Sequence, residues 1–135
     1  MNHEGTKKLE GDKKFEEVSG RVIGFAIEVH RTLGPGLLES AYEQCLCHEL
    51  TQSGIAFQRQ VPVPIVYKGL ELECAYRLDL VVDRQLIVEI KAIEKLLPIH
   101  SAQLLTYLKL TGIHAGLLMN FHTEVLRDGI KRVVL

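Results

Sequence analysis

The stretch LIVEIKA, residues 86–92, constrains the fold more than any other part of the chain. Leu86, Ile87, Val88 and Ile90 form an apolar run of strand length, which reads as a buried, central β-strand. Glu89 and Lys91 interrupt it two positions apart, and positions i and i+2 of a strand point to the same face. A carboxylate and an ammonium therefore emerge side by side from one side of a buried strand. Charges in such a place are costly unless they are paired or put to use.

The flanking sequence supplies what must cover that strand. From Val18 the apolar residues fall at 18, 22, 25, 26, 29 and 33, a helical period, and Gly34-Pro35-Gly36 ends the helix. A second helix is predicted from about Leu37 to Ser53, burying Leu38, Ala41, Tyr42, Cys45, Leu46 and Leu50, with Gly54 as its terminator. The period then changes to that of strands. FQRQVPVPIVY (57–67) is expected as an edge strand, because neither Pro62 nor Pro64 can donate to a ladder. Lys68-Gly69 marks a turn, LELECAYRLDLVV the next strand region, and Asp83-Arg84 a second turn into LIVEIKA. Pro98 precedes a third helix closed by Gly112, and AGLLMNF (115–121) and IKRVVL follow as strands. The expected order is α-α-β-β-β-α-β with a further final strand. It gives an α/β (α+β) fold: a mixed sheet with helices packed against it. Residues 1–14 read as a flexible polar tail and 15–135 as one domain.

Composition bounds the function classes. A chain of 135 residues, 47% hydrophobic and 24% charged, is a globular domain able to bury a real core. No apolar run approaches membrane-spanning length and the first residues do not resemble a secretory leader, so a cytoplasmic protein is expected. A net charge of −1 counts against a protein that coats nucleic acid nonspecifically, though not against an enzyme with a local basic cleft. Cys45, Cys47 and Cys74 read as reduced core or boundary residues, since Cys45 and Cys47 diverge on a helix and no four-ligand spacing exists. His30, His48, His100, His114 and His122 show no ligand spacing either. His100, at the start of the third helix, is a candidate for a substrate contact or for capping that helix.

YRLDLVV offers a partner for the charged pair, because Asp79 can gather with Glu89 and Lys91 on one sheet face. Two carboxylates brought together repel, and a divalent cation with a preference for oxygen, Mg²⁺ or Mn²⁺, resolves that repulsion. Lys91 can then position and polarise an attacking water. Register decides whether this is possible. A two-residue turn at Asp83-Arg84 would set Asp79 against Val88, on the wrong face, so a three-residue loop or a bulge is predicted near 83–85. Gln103 and Tyr107, i and i+4 on the third helix, can reach phosphate oxygens or the water. Glu39, one helical turn from Tyr42 in GLLESAY, can reach the metal or its water shell. A structural ion-pair cluster on a half-exposed sheet would present the same three sheet residues.

GLLESAY, read as G-x-x-E-x-x-Y through Gly36, Glu39 and Tyr42, together with YRLDLVV, IVEIKA, HSAQLLTYLK and GLLMNF, resembles the GxxExxY family. That family looks like a compact branch of the PD-(D/E)XK nuclease-like superfamily. The resemblance covers residues 18–135 and implies a restriction-endonuclease-like α-β-β-β-α-β core, here with an additional N-terminal helix. It matches Glu39 to the first-helix acid, Asp79 to the metal-binding aspartate, Glu89 and Lys91 to the ExK pair, and Gln103 and Tyr107 to a Q-x-x-x-Y motif. Leu78 replaces the usual proline. The implied activity is metal-dependent phosphodiester hydrolysis of nucleic acid, expected to be DNA. Asp79, Glu89 and the Ile90 carbonyl would hold Mg²⁺, with Mn²⁺ as substitute. Arg59, Arg77 and Lys109 are the candidates for touching the nucleic-acid backbone. The competing expectation is a non-catalytic nucleic-acid-binding or assembly subunit that retains a metal site. A homodimer or a protein partner is compatible with so small a binding surface.

Overall fold

The computed structural model describes residues 3–73 and 76–135, with side chains given from residue 16 onward. Cys74 therefore lies outside the described residues. Helix α1 spans His3–Leu33 and α2 spans Glu39–Gln52. The strands β1 (Phe57–Val63), β2 (Val66–Tyr67), β3 (Leu70–Glu71), β4 (Tyr76–Val82) and β5 (Leu86–Lys91) come next. Helix α3 (Pro98–Thr111), β6 (Ala115–Asn120) and β7 (Ile130–Val134) complete the chain.

Five strands form one sheet in the order β1-β4-β5-β6-β7, antiparallel except where β5 and β6 run parallel. The parallel pair needs a crossover, and α3 provides it. LIVEIK is the central strand, buried on both faces except at its last residue. Leu86, Val88 and Ile90 pack with Leu80 and Val82 against Val22, Ala26 and Val29 of α1 and Tyr42, Leu46 and Leu50 of α2. Ile87 and Val81 pack on the other side with Leu104, Tyr107 and Leu108 of α3. Each fully buried aliphatic side chain contributes about 1.5–3 kcal/mol. Two apolar rows on opposite faces thus hold β5 in one register against any slip.

Helix α1 begins earlier than its apolar period suggests, because the Lys- and Glu-rich stretch expected as a tail consists largely of good helix formers. Helix α2 begins at Glu39, so Leu38 is its extended N-cap rather than a core residue and is 78% exposed. Cys47 and Glu43 join its buried face in place of Leu38, and Cys45 sits at the boundary. Burial pushes the Cys47 thiol up to about 11, which keeps it protonated and unreactive at neutral pH. The edge strand expected over 57–67 ends at Val63. Pro64 precedes the separate β2–β3 ribbon, which turns at Lys68 and Gly69, both with positive φ.

Candidate active site

Val82 pairs with Leu86, so the β4–β5 connection is the three-residue loop 83–85, with Asp83 and Arg84 both in the left-handed region. The register continues through Val81↔Ile87 and Leu80↔Val88, which sets Asp79 against Glu89. At that point the ladder changes character. The Asp79 N–H donates to Glu89 Oε1 at 3.1 Å, and the Ile90 N–H donates to Asp79 Oδ2 at 2.8 Å. Each carboxylate takes the place a backbone carbonyl would fill, and the two strands are clasped by side chains. Packing also changes here. Leu78 lies with the α3 layer, while Leu80, two residues on, lies with the α1–α2 layer.

Glu89 is only 7% exposed. Burial, reinforced by the neighbouring Asp79 carboxylate, pushes its acid up to about 8, against a weaker pull from the Asp79 N–H and Lys91. Asp79 is raised as well, first by burial and then, against the Ile90 hydrogen bond, by Glu43. Lys91 lies on the Glu89 face at the end of the strand, half-buried, and makes no ion pair among the described residues. Its carbonyl accepts the Phe121 N–H at 2.8 Å, so its backbone is fixed while its ammonium is not. Tyr107 is buried on α3. Burial and the Glu89 charge raise its phenol, which stays protonated and able to donate at neutral pH.

Around this pair the structure sorts the other candidates. Glu39, exposed in the first turn of α2, accepts the Ala92 N–H at 3.2 Å and so touches the chain just beyond Lys91. Tyr42 is fully buried and stacked on Phe121. Its hydroxyl donates to the Gly34 carbonyl at 2.6 Å and accepts the Leu37 N–H at 3.1 Å. It holds the Gly-Pro-Gly turn that delivers Glu39. Gln103 is exposed one turn before Tyr107, and Arg77 is exposed two residues before Asp79. Lys109 follows Tyr107 by two residues, roughly 200° around the helix, and belongs to a different face. Arg59 pairs with the buried Glu43 at 2.7 Å, so its guanidinium, although exposed, is already engaged by a carboxylate. His100 is a cap: its Nδ1 accepts the Leu97 N–H at 2.9 Å.

Two residues at the site escaped the sequence reading. Glu43 is buried, with Oε2 on Arg59 and Oε1 on the Gln60 amide at 2.8 Å. Its i, i+4 spacing from Glu39 was the available signal. Asn120, buried at the end of β6, binds both the N–H and the carbonyl of Ile93 and also accepts the His122 N–H. A lone amide closing an otherwise apolar strand marked it.

Among the described residues no group of three or more His, Cys, Asp or Glu side chains is arranged to hold a metal ion. The donor set at the clasp is instead two carboxylates and a carbonyl. In a strand the N–H and C=O of one residue point to the same side, so the Ile90 carbonyl faces β4 as its N–H does. Asp79 Oδ1 and Glu89 Oε2 accept no backbone hydrogen bond among the described residues. Two mutually repelling carboxylates beside the Ile90 carbonyl fit a hard divalent cation.

A model of the PD-(D/E)XK nuclease superfamily matches residues 16–133, and the chain belongs to that superfamily. Its five-stranded mixed sheet with three helices is the restriction-endonuclease-like arrangement. No curated protein and no solved structure matches the chain. No helix among the described residues is long and apolar enough to cross a membrane.

Proposed function

We infer that this chain is a metal-dependent nuclease that hydrolyses phosphodiester bonds of nucleic acid, and DNA in particular, as a member of the GxxExxY branch. The observation that carries this reading is the pairing of Asp79 with Glu89 where the β4–β5 ladder gives way to side chains, with Lys91 next on the same face. Superfamily membership supports the chemistry. The role of Tyr42 in holding the turn before Glu39 supports the branch.

Asp79, Glu89 and the Ile90 carbonyl would hold Mg²⁺, or Mn²⁺ in its place, which when bound supplies positive charge to the phosphate and a more acidic water. The remaining work falls to the chain. Lys91, without an ion pair among the described residues, orients the attacking water and steadies the charge that develops on the phosphate. Tyr107 donates to a phosphate oxygen, and Gln103 approaches the same group from one turn earlier on α3. Glu39 fixes the Ala92 N–H and with it the direction in which Lys91 leaves the strand. Arg77, exposed beside Asp79, is the cation best placed to meet the nucleic-acid backbone. The reading assigns the activity to the cytoplasm, with a second copy or a protein partner widening the substrate surface.

The test is cleavage of labelled DNA and RNA with Mg²⁺ or Mn²⁺. Lys91→Ala is expected to lower turnover by about 10²–10³-fold, the scale of removing one preorganised charge contact, while melting within a few degrees of the wild type. Absence of wild-type cleavage together with Mn²⁺ binding that Asp79→Asn weakens would assign the chain to a binding subunit instead.

A further inference from the structure

Four non-glycine residues among those described have positive φ, and three of them, Lys68, Asp83 and Arg84, occupy turns. The fourth, Gln60 at φ 50°, lies inside β1. Its neighbours pair regularly, Arg59 with Leu80 and Val61 with Leu78, so Gln60 stands directly opposite Asp79 at an interruption of the ladder. A glycine would occupy such a backbone with less strain. What the chain keeps there is a side-chain amide. Gln60 Nε2 lies 2.8 Å from Glu43 Oε1 and 3.5 Å from Asp79 Oδ1, the second at the outer edge of hydrogen-bond distance. Glu43 is itself anchored on Arg59 through its other oxygen. The amide carries two protons and can offer one to each carboxylate.

Resting on the nuclease reading above, we propose that Gln60 is a positioning residue for Asp79. Its amide, braced by the Glu43–Arg59 pair, stands between two carboxylates that would otherwise repel, and confines Asp79 to the orientation in which Oδ2 receives the Ile90 N–H. Asp79 is then flanked on both sides: by β5 through Ile90 and by β1 through Gln60. Its Oδ1 then faces the Gln60 amide on the β1 side while Oδ2 meets β5. The left-handed backbone at Gln60 marks where β1 departs from the regular ladder to present that amide. Gln60 touches neither substrate nor metal in this account, and it acts only through Asp79.

The experiment uses the full chain free of metal and then titrated with Mn²⁺, comparing wild type, Gln60→Gly and Gln60→Leu. Gln60→Gly suits the backbone and removes the amide, whereas Gln60→Leu keeps bulk without donors. Both are expected to speed hydrogen exchange of the Ile90 amide by about tenfold relative to the Val82 amide and to weaken Mn²⁺ binding by about tenfold, each step corresponding to one unit on a logarithmic scale. Gln60→Gly should melt at or above the wild-type temperature. Unchanged Ile90 exchange in both variants would overturn the proposal, as would a lowered melting temperature for Gln60→Leu with exchange at Ile90 intact, the result of a filler role. Absence of Mn²⁺ binding by the wild type would instead sink the metal reading, and Ile90 exchange would still decide the role of Gln60.

Discussion

Glu89 shows how a single side chain ties stability to function. The folded chain holds its acid near 8, above the usual carboxylate range, because burial and Asp79 disfavour the charge. Between about pH 4.5 and 8 the folded protein therefore keeps a proton that the unfolded chain has lost, and stability falls as pH rises through that window. The penalty is complete above it, on the order of 5 kcal/mol. Metal-free Glu89→Gln, whose amide oxygen still accepts the Asp79 N–H, is expected to lose this slope and to exceed the wild type at pH 8.5 in urea denaturation. A wild-type profile as flat as that of Glu89→Gln would refute the burial argument. At this scale the sequence was readable where periodicity speaks, since spacing alone put Glu89 and Lys91 on one face. Glu43 was passed over, although its i, i+4 spacing from Glu39 marked the shared face. It sits on a helix like any surface acid, and only the fold brings Arg59 and Gln60 across to cover it.

Among the elements, the β4–β5 hairpin was the most legible, because face matching called for a three-residue loop or a bulge to set Asp79 against Glu89, and the loop is what forms. Deleting Gln85 shortens that loop to two residues and is expected to force a one-residue slip that exchanges the side chains meeting the α1–α2 layer with those meeting the α3 layer. The variant should lose Mn²⁺ binding altogether and at least about 3 kcal/mol of stability, as burial of two or more aliphatic side chains is disrupted. Retention of wild-type Mn²⁺ affinity would show that the register is set elsewhere. The irregularity of β1 was invisible, since glutamine carries no signal for a left-handed backbone. Leu38 was misplaced for a related reason: the helical period was extended about two residues back into the turn that precedes α2. Asn120 illustrates a polar group that holds one element to the next. Asn120→Ala leaves both polar groups of the Ile93 peptide without their partner and is expected to cost about 2–3 kcal/mol. Chemical denaturation measures it directly, and a loss below about 0.5 kcal/mol would mean that the 92–97 segment finds other partners.

For the whole molecule, the sheet divides the protein into an α1–α2 layer and an α3 layer, and the clasp lies where the facing of β4 shifts, Leu78 and Val81 lying with α3 but Leu80 and Val82 with α1–α2. The layered plan followed from the sequence because a strand apolar on both faces must be covered on both. The pairing of β7 beside β6 was not legible in the sequence, since IKRVVL is short and alternates weakly. The superfamily match begins at residue 16, although α1 begins at His3. A chain starting at Glu16 is therefore expected to fold, to melt within a few degrees of the full chain and to bind Mn²⁺ equally well. A collapse of thermal stability would make the first turns of α1 part of the domain.

The exchange of hydrogen bonds between Asp79 and Glu89 has a consequence for which substitutions can survive. Each carboxylate serves as a rung of the sheet as well as a candidate ligand. Losing either to alanine would strand a backbone amide, so natural selection against unfolding alone would favour an acceptor at both positions, even in a lineage that had abandoned hydrolysis. Asparagine and glutamine meet that demand, whereas lysine at 91 carries no such structural duty. In a saturation library scored for folding and cleavage separately, positions 79 and 89 would then be restricted in both screens and position 91 in only one. The earliest mark of a silenced descendant would be sought at the lysine.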